Sequence, residues 1–160
     1  MECDVLPTEY FPHVDLLLKA LRIDRHRLNG RGKIAIDAPL LRRIIQCAIE
    51  QLPFSEEFYR QTYPDIAAAA AAGQIPDLHR HFVDTGYFEG RLGVPPGLDA
   101  DHYRAAYQDV AEAIAAGSIA SADDHYMQAG ASEGRVPAKA LAGAVAAWMA
   151  VLRVPVPGEI

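Results

Sequence analysis

Offset against itself by 44 positions, the chain matches: residues 55–91 lie on residues 99–135 without a gap, and fifteen of the thirty-seven pairs are identical. The identities are Tyr59/Tyr103, Arg60/Arg104, Tyr63/Tyr107, Asp65/Asp109, Ala67/Ala111, Ala69/Ala113, Ala71/Ala115 and Ala72/Ala116. They continue with Gly73/Gly117, Ile75/Ile119, His81/His125, Gly86/Gly130 and the Glu-Gly-Arg runs at 89–91 and 133–135. Alanine richness accounts for only four of them. A fixed period constrains a fold more than any single residue, because each copy becomes one supersecondary unit that buries its apolar face against the next.

The punctuation inside each copy is helical. Ser55 and Asp99 stand where an N-cap oxygen takes the first free amide protons, with acidic residues in the following turn. Tyr59, Tyr63, Ile66 and Ala70 share one helical face, and Tyr103, Tyr107, Val110 and Ile114 repeat that stripe. Pro64 suits the first position of a new helix, so copy one is expected to break there, whereas Gln108 lets copy two run through. Gly73 and Gly117 predict left-handed caps. A second helix is expected over 77–85 and 121–129, stopped by Gly86 and Gly130, before a Glu-Gly-Arg turn closed by Pro95 or Pro137.

The repeated polar residues read as framework. Catalytic groups gather in one asymmetric cluster, whereas framework residues recur with the frame. Asp65 and Asp109 fall in an early helical turn, where the dipole favours a carboxylate that can also hold Arg91 or Arg135. His81 and His125 are expected to pack on the tyrosines and bond a backbone carbonyl.

The order of these residues resembles a known type of tandem repeat. In copy one the matching residues are Phe58-Tyr59, Tyr63-Pro64-Asp65-Ile66-Ala67, Gly73, His81-Phe82, Gly86 and Glu89-Gly90-Arg91. In copy two they are Tyr103, Tyr107, Asp109-Val110-Ala111, Gly117, His125-Tyr126, Gly130 and Glu133-Gly134-Arg135. Tyr63 and Tyr107 stand where that pattern has Asn, and Gln108 where it has Pro. Repeats of this type accompany bacterial glycosyltransferases, surface-polysaccharide proteins and some large secreted proteins, as non-catalytic appendages. The resemblance covers about half the chain. It implies an accessory, regulatory or carbohydrate-binding module of surface-polysaccharide synthesis.

Composition bounds the remainder. Of 160 residues, 51% are hydrophobic and 22% charged, too apolar for extended disorder and suited to one folded domain. No run reaches the roughly 20 apolar residues that a bilayer crossing needs. Glu2, Asp4, Glu9 and Asp15 fall among the first twenty residues, so no secretory signal is read and a cytoplasmic location is expected. Cys3 and Cys47 are too few for a disulfide framework or a zinc site.

Charge is lopsided. Lys19, Arg22, Arg25, Arg27, Arg31, Lys33, Arg42 and Arg43 face only Asp24 and Asp37 within residues 19–43, a net +6 against −12 elsewhere. Such a segment is an anion-binding face, the solvated side of a helix pair, or a patch that docks on the acidic remainder. Without interleaved aromatics or a recognition helix, nucleic acid is a minor option.

The N-terminal part reads as helix, turn, short extended piece and helix. Phe11, Val14, Leu17, Leu18, Leu21 and Ile23 form the first apolar face, and Asn29-Gly30-Arg31-Gly32 the turn. Lys33-Ile34-Ala35-Ile36 is extended. Asp37 then caps a helix to about Gln51 with Pro39 in its first turn, buried through Leu40, Leu41, Ile44, Ile45, Ala48 and Ile49.

At the other end, residues 140–152 carry no charge and are bounded by Lys139 and Arg153. At ~1.5 Å per residue they span about 20 Å, too short for a bilayer. Leu141, Val145, Trp148, Met149 and Leu152 supply bulk that either closes the repeats or meets a partner. The tail Val154-Pro155-Val156-Pro157 is a further segment a partner can grip.

Searches for chemistry return little. His79 and His81 are two apart on an expected helix, where their side chains diverge. No nucleophile motif surrounds a serine or cysteine. The expectation is thus an all-α helical array of about seven short helices in one domain. Its segments are an N-terminal helix pair over 1–53, the two copies over 54–97 and 98–137, and an apolar C-terminal helix with tail over 138–160.

The expected function is non-enzymatic protein interaction or scaffolding, with no cofactor or metal. Partner contacts are assigned to Arg22, Arg25, Arg27, Arg31, Lys33, Trp148, Met149 and Leu152. Framework roles go to Tyr59, Asp65, His81, Arg91, Tyr103, Asp109, His125 and Arg135. The partner is another protein, a second copy through the C-terminal helix, or a glycan.

Overall fold

A computed structural model describes residues 10–153. The architecture is all-α, with ten α-helices and no strand among the described residues. Cys3 and the 154–157 tail lie outside them. The chain divides into two compact units, Met1–Pro53 and Phe54–Ile160.

In the first unit, α1 (Val14–Leu21) starts at His13, whose Nδ1 accepts the Asp15 amide proton, and stops at Arg22 in the left-handed region, φ 55°. A short α2 (Arg25–Leu28), which periodicity alone misses, is nucleated by Asp24, whose carboxylate accepts the Arg27 amide at 2.7 Å. Helix α3 (Ala38–Ile49) begins after Asp37, but the Asp37 side chain makes no capping bond, so Pro39 supplies the start. The expected apolar faces are only partly covered. Leu18 and Ile49 are buried, whereas Phe11, Val14 and Leu41 are exposed.

In the second unit, α4 (Glu56–Thr62) and α5 (Pro64–Ala71) are followed by α6 (Leu78–Asp84) and a 3₁₀ turn at Gly86–Glu89. The series recurs as α7 (Ala100–Ala106), α8 (Gln108–Ala115) and α9 (Ala122–His125), with a π-type turn at Tyr126–Gly130. A 3₁₀ turn at Lys139–Leu141 leads into α10 (Ala142–Leu152). Each long segment is capped as its sequence implies: Ser55, Asp77, Asp99 and Ser121 all accept an N-terminal amide proton on the side chain. Gly73 and Gly117 take φ 73° and 71°.

One expectation is overturned. Copy two breaks just as copy one does, at Tyr107 (φ −126°, ψ 89°) as at Tyr63 (φ −120°, ψ 88°). Proline is therefore not the cause; both tyrosines are held from outside the helix, as described below. With α2, this second break raises the helix count above seven. Gly86 and Gly130 also act differently from simple stops: neither has a positive φ, and the left-handed residues are Gly90 and Gly134.

Candidate functional site

The side chains that recur along the chain meet in space around two buried tyrosines. Tyr59 and Tyr103 are both 0% exposed. Tyr59 is hydrogen-bonded to His81 Nδ1 at 3.2 Å, and Tyr103 to His125 Nδ1 at 3.0 Å. The histidines thus bond tyrosine hydroxyls, not the backbone carbonyls expected for them. Each hydroxyl also presses on a glycine: a Cβ on Gly86 would overlap the Tyr59 oxygen, and one on Gly130 the Tyr103 oxygen. That close approach is why these positions lack a side chain.

A second pair of contacts fixes the outer edge. Leu92 N–H donates to the Tyr63 hydroxyl at 2.7 Å, and Val136 N–H to the Tyr107 hydroxyl at 2.7 Å. Arg91 grips Asp65 with two hydrogen bonds, 3.1 and 2.8 Å, and Arg135 grips Asp109 at 2.9 and 2.7 Å. The same guanidiniums reach Glu89 and Glu133 and lie 4.9 and 4.8 Å from the centroids of the Tyr63 and Tyr107 rings. Backbone bonds Ser55 N–H to Gly93 C=O, 2.8 Å, and Asp99 N–H to Pro137 C=O, 3.0 Å, join the start of each copy to its end.

The electrostatics follow from this packing. Hydrogen bonds from Arg91 and Arg135 hold Asp65 and Asp109 below the usual carboxylate range, and the carboxylates in turn raise both arginines. Burial pushes Tyr59 up to about 12 and raises Tyr103 and Tyr126. The repeated polar residues thus bond one another in each copy, in the manner of a clasp.

Three further surfaces are found among the described residues. Beside Tyr63, a groove of about 460 Å³ runs between Thr62, Glu89, Gly90 and Arg91 of copy one and Met127 and Gln128 of copy two. A mainly apolar cleft of about 400 Å³ opens in the first unit among Tyr10, Phe11, Leu17, Leu40, Ile44 and Cys47. Sequence periodicity pointed Phe11 and Leu17 inward, and the cleft marks where that face stays uncovered.

The third surface is α10. Its Met149 methyl packs against Gly134, where a Cβ would stand, so this expected partner residue is half-consumed inside the chain. Trp148, Val151 and Leu152 remain 66%, 75% and 57% exposed, and no residue of the helix is buried.

Among the expected basic contacts, Arg25 pairs with Asp15 and Arg27 donates to the Lys33 carbonyl at 3.4 Å. Arg22, Arg31 and Lys33 are exposed. No three His, Cys, Asp or Glu side chains gather into a metal-binding group among the described residues, and no helix there is long and apolar enough to cross a membrane. No family model, curated protein or solved structure matches this chain.

Proposed function

We propose that the chain is a non-enzymatic interaction or scaffolding module. The observation that carries this reading is the contrast between its two sets of side chains. The recurring Tyr, His, Asp and Arg residues bind one another across each copy, while apolar bulk at Trp148, Val151 and Leu152 faces solvent. Framework is satisfied internally; surface is left for something else.

Crosslinking the full chain in its native cells tests the reading. The expected result is a discrete adduct that disappears either when Arg22, Arg31 and Lys33 are changed to Glu or when Val151 and Leu152 are changed to Asp. A chain that yields no adduct above an unrelated acidic protein overturns it.

A second reading, an accessory carbohydrate-binding role in surface-polysaccharide synthesis, is favoured by the groove beside Tyr63. Its walls mix apolar area with the Glu89 carboxylate, the Gln128 amide and the Thr62 hydroxyl, a blend that suits a polyhydroxyl ligand. A glycan array on the full chain and on the Gln128→Ala variant distinguishes the two.

A further inference from the structure

The Glu-Gly-Arg turn closes both copies, but only one of the two glycines is covered. A Cβ at Gly90 (φ 82°) would meet nothing within 4 Å, whereas one at Gly134 (φ 71°) would meet the Met149 methyl and sulfur. Within α10, Val145 and Met149 are the only half-buried residues, and they stand one helical turn apart on the same face. Both line a cleft of about 290 Å³ between the helix and copy two, whose other wall includes Tyr126, Gly134 and Arg135. No residue of α10 is buried. The seat of this helix thus rests chiefly on two side chains, and one of them is a thioether.

We propose that Met149 is an oxidation site that latches α10: hydrogen peroxide converts its thioether to the sulfoxide and thereby releases the helix from copy two. A lone pair of Sδ takes the distal peroxide oxygen as the O–O bond breaks, so sulfur is oxidised by two electrons and peroxide is reduced. The proton on the transferred oxygen passes to the departing hydroxide, which leaves as water. The product is polar and chiral and carries one more oxygen, whereas its seat is a methyl-sized contact on a glycine. Met149 is half-exposed, so a small oxidant reaches it. Met127 is also half-buried but has no such leverage. It sits in the turn Tyr126–Gly130, directly after His125, which Tyr103 holds from the core.

Once unseated, a helix of 11 residues does not hold itself together in water, since isolated helices shorter than about 12–15 residues are marginal. Release therefore frays α10 and uncovers Gly134 and Arg135, the counterparts of Gly90 and Arg91 in the groove beside Tyr63. Oxidant thus turns a chain with one accessible Glu-Gly-Arg edge into a chain with two.

Hydrogen exchange of the full chain, read by peptide mass spectrometry, tests this and also places each added oxygen. After dilute hydrogen peroxide, the expected result is an oxygen on Met149 and exchange over residues 142–152 faster by about tenfold or more, with α7 and α8 unchanged. Methionine sulfoxide reductase reverses both changes, whereas dithiothreitol alone, which reduces cysteine disulfides, reverses neither. Met149→Gln gives the fast exchange without peroxide, and Met149→Leu keeps slow exchange with or without it. An oxygen on Met149 with protection over 142–152 intact overturns the inference. So does a peroxide response that survives in Met149→Leu, or a Met149 still reduced when Met127 is fully oxidised. Rapid exchange over 142–152 before any peroxide is added likewise overturns it, because the helix is then not seated at all.

Discussion

Val136 donates its backbone N–H to the Tyr107 hydroxyl at 2.7 Å, a bond made by a residue 29 positions further along the chain. Leu92 does the same for Tyr63. The two tyrosines adopt nearly equal backbone angles although only one precedes a proline. Arg91 and Arg135 clamp the following helices through Asp65 and Asp109 while lying over the same tyrosine rings. The helix break thus belongs to a tertiary anchor, and Pro64 merely agrees with it.

If so, Gln108→Pro is tolerated. Tyr107 already has the extended conformation that a residue before proline requires, and Gln108 is the first residue of α8, where its amide has no helical partner. The loss of the Gln108–Glu112 side-chain bond is small. The expected outcome in urea unfolding is a gain of about 0.4–1 kcal/mol from the stiffer unfolded chain. Tyr107→Phe, which leaves the Val136 amide without its acceptor, is expected to lose about 1–2 kcal/mol. A destabilising Gln108→Pro would return the cause of the break to local propensity.

Gly86 and Gly130 give a sharper test, because their neighbours are buried hydroxyls and not solvent. Gly86→Ala drives a methyl into the Tyr59 oxygen, an overpacking expected to cost about 1–3 kcal/mol. Removing that oxygen with Tyr59→Phe in the same chain should recover part of the loss, a coupling that a double-mutant cycle reads directly. Strictly additive effects would show that the glycine serves some other purpose.

These glycines also mark the limit of what the primary structure discloses. Helix caps at Ser55, Asp77, Asp99 and Ser121 and the left-handed turns at Gly73 and Gly117 are local, so residue type and spacing suffice to find them. The Asp65–Arg91 and Asp109–Arg135 pairs were legible because both partners recur at one offset. The Tyr–His bonds and the Tyr–Gly approaches depend on which atoms meet after α6 and α9 fold back, and spacing holds no record of that. For α10 the pattern gave no face at all: apolar residues lie all round it, so the partial cover of Met149 is set by its seat on Gly134.

Acid should loosen both clasps. The Asp65 and Asp109 carboxyls are held below their ordinary value of 3.8 by hydrogen bonds from Arg91 and Arg135. A carboxyl that is more acidic when folded stabilises the fold at pH values above its unfolded pKa, and that contribution fades as pH falls through the folded value. Unfolding free energy is therefore expected to be level near neutrality and to decline below about pH 4. In Asp65→Asn with Asp109→Asn the decline should be shallower and the neutral-pH stability lower. An unchanged acid limb in that variant would assign the effect to other carboxylates.

Alkali should act through the core. Burial raises Tyr59 from 10.0 to about 12, with the nearby Arg91 charge opposing the shift only in part, and Tyr103 moves the same way for the same reason. An acid whose folded pKa lies above its unfolded one favours the fold while it stays protonated. The contribution is thus whole below pH 10 and is lost as pH climbs through about 12. The ionisation step can be followed at the tyrosinate absorbance. Tyr59 and Tyr103 should ionise only as helical circular dichroism collapses. In Tyr59→Phe with Tyr103→Phe that late step should vanish and unfolding should move to higher pH, since the two fully buried hydroxyls are gone. Ionisation of Tyr59 and Tyr103 with the helices intact would mean that water reaches the two central rings.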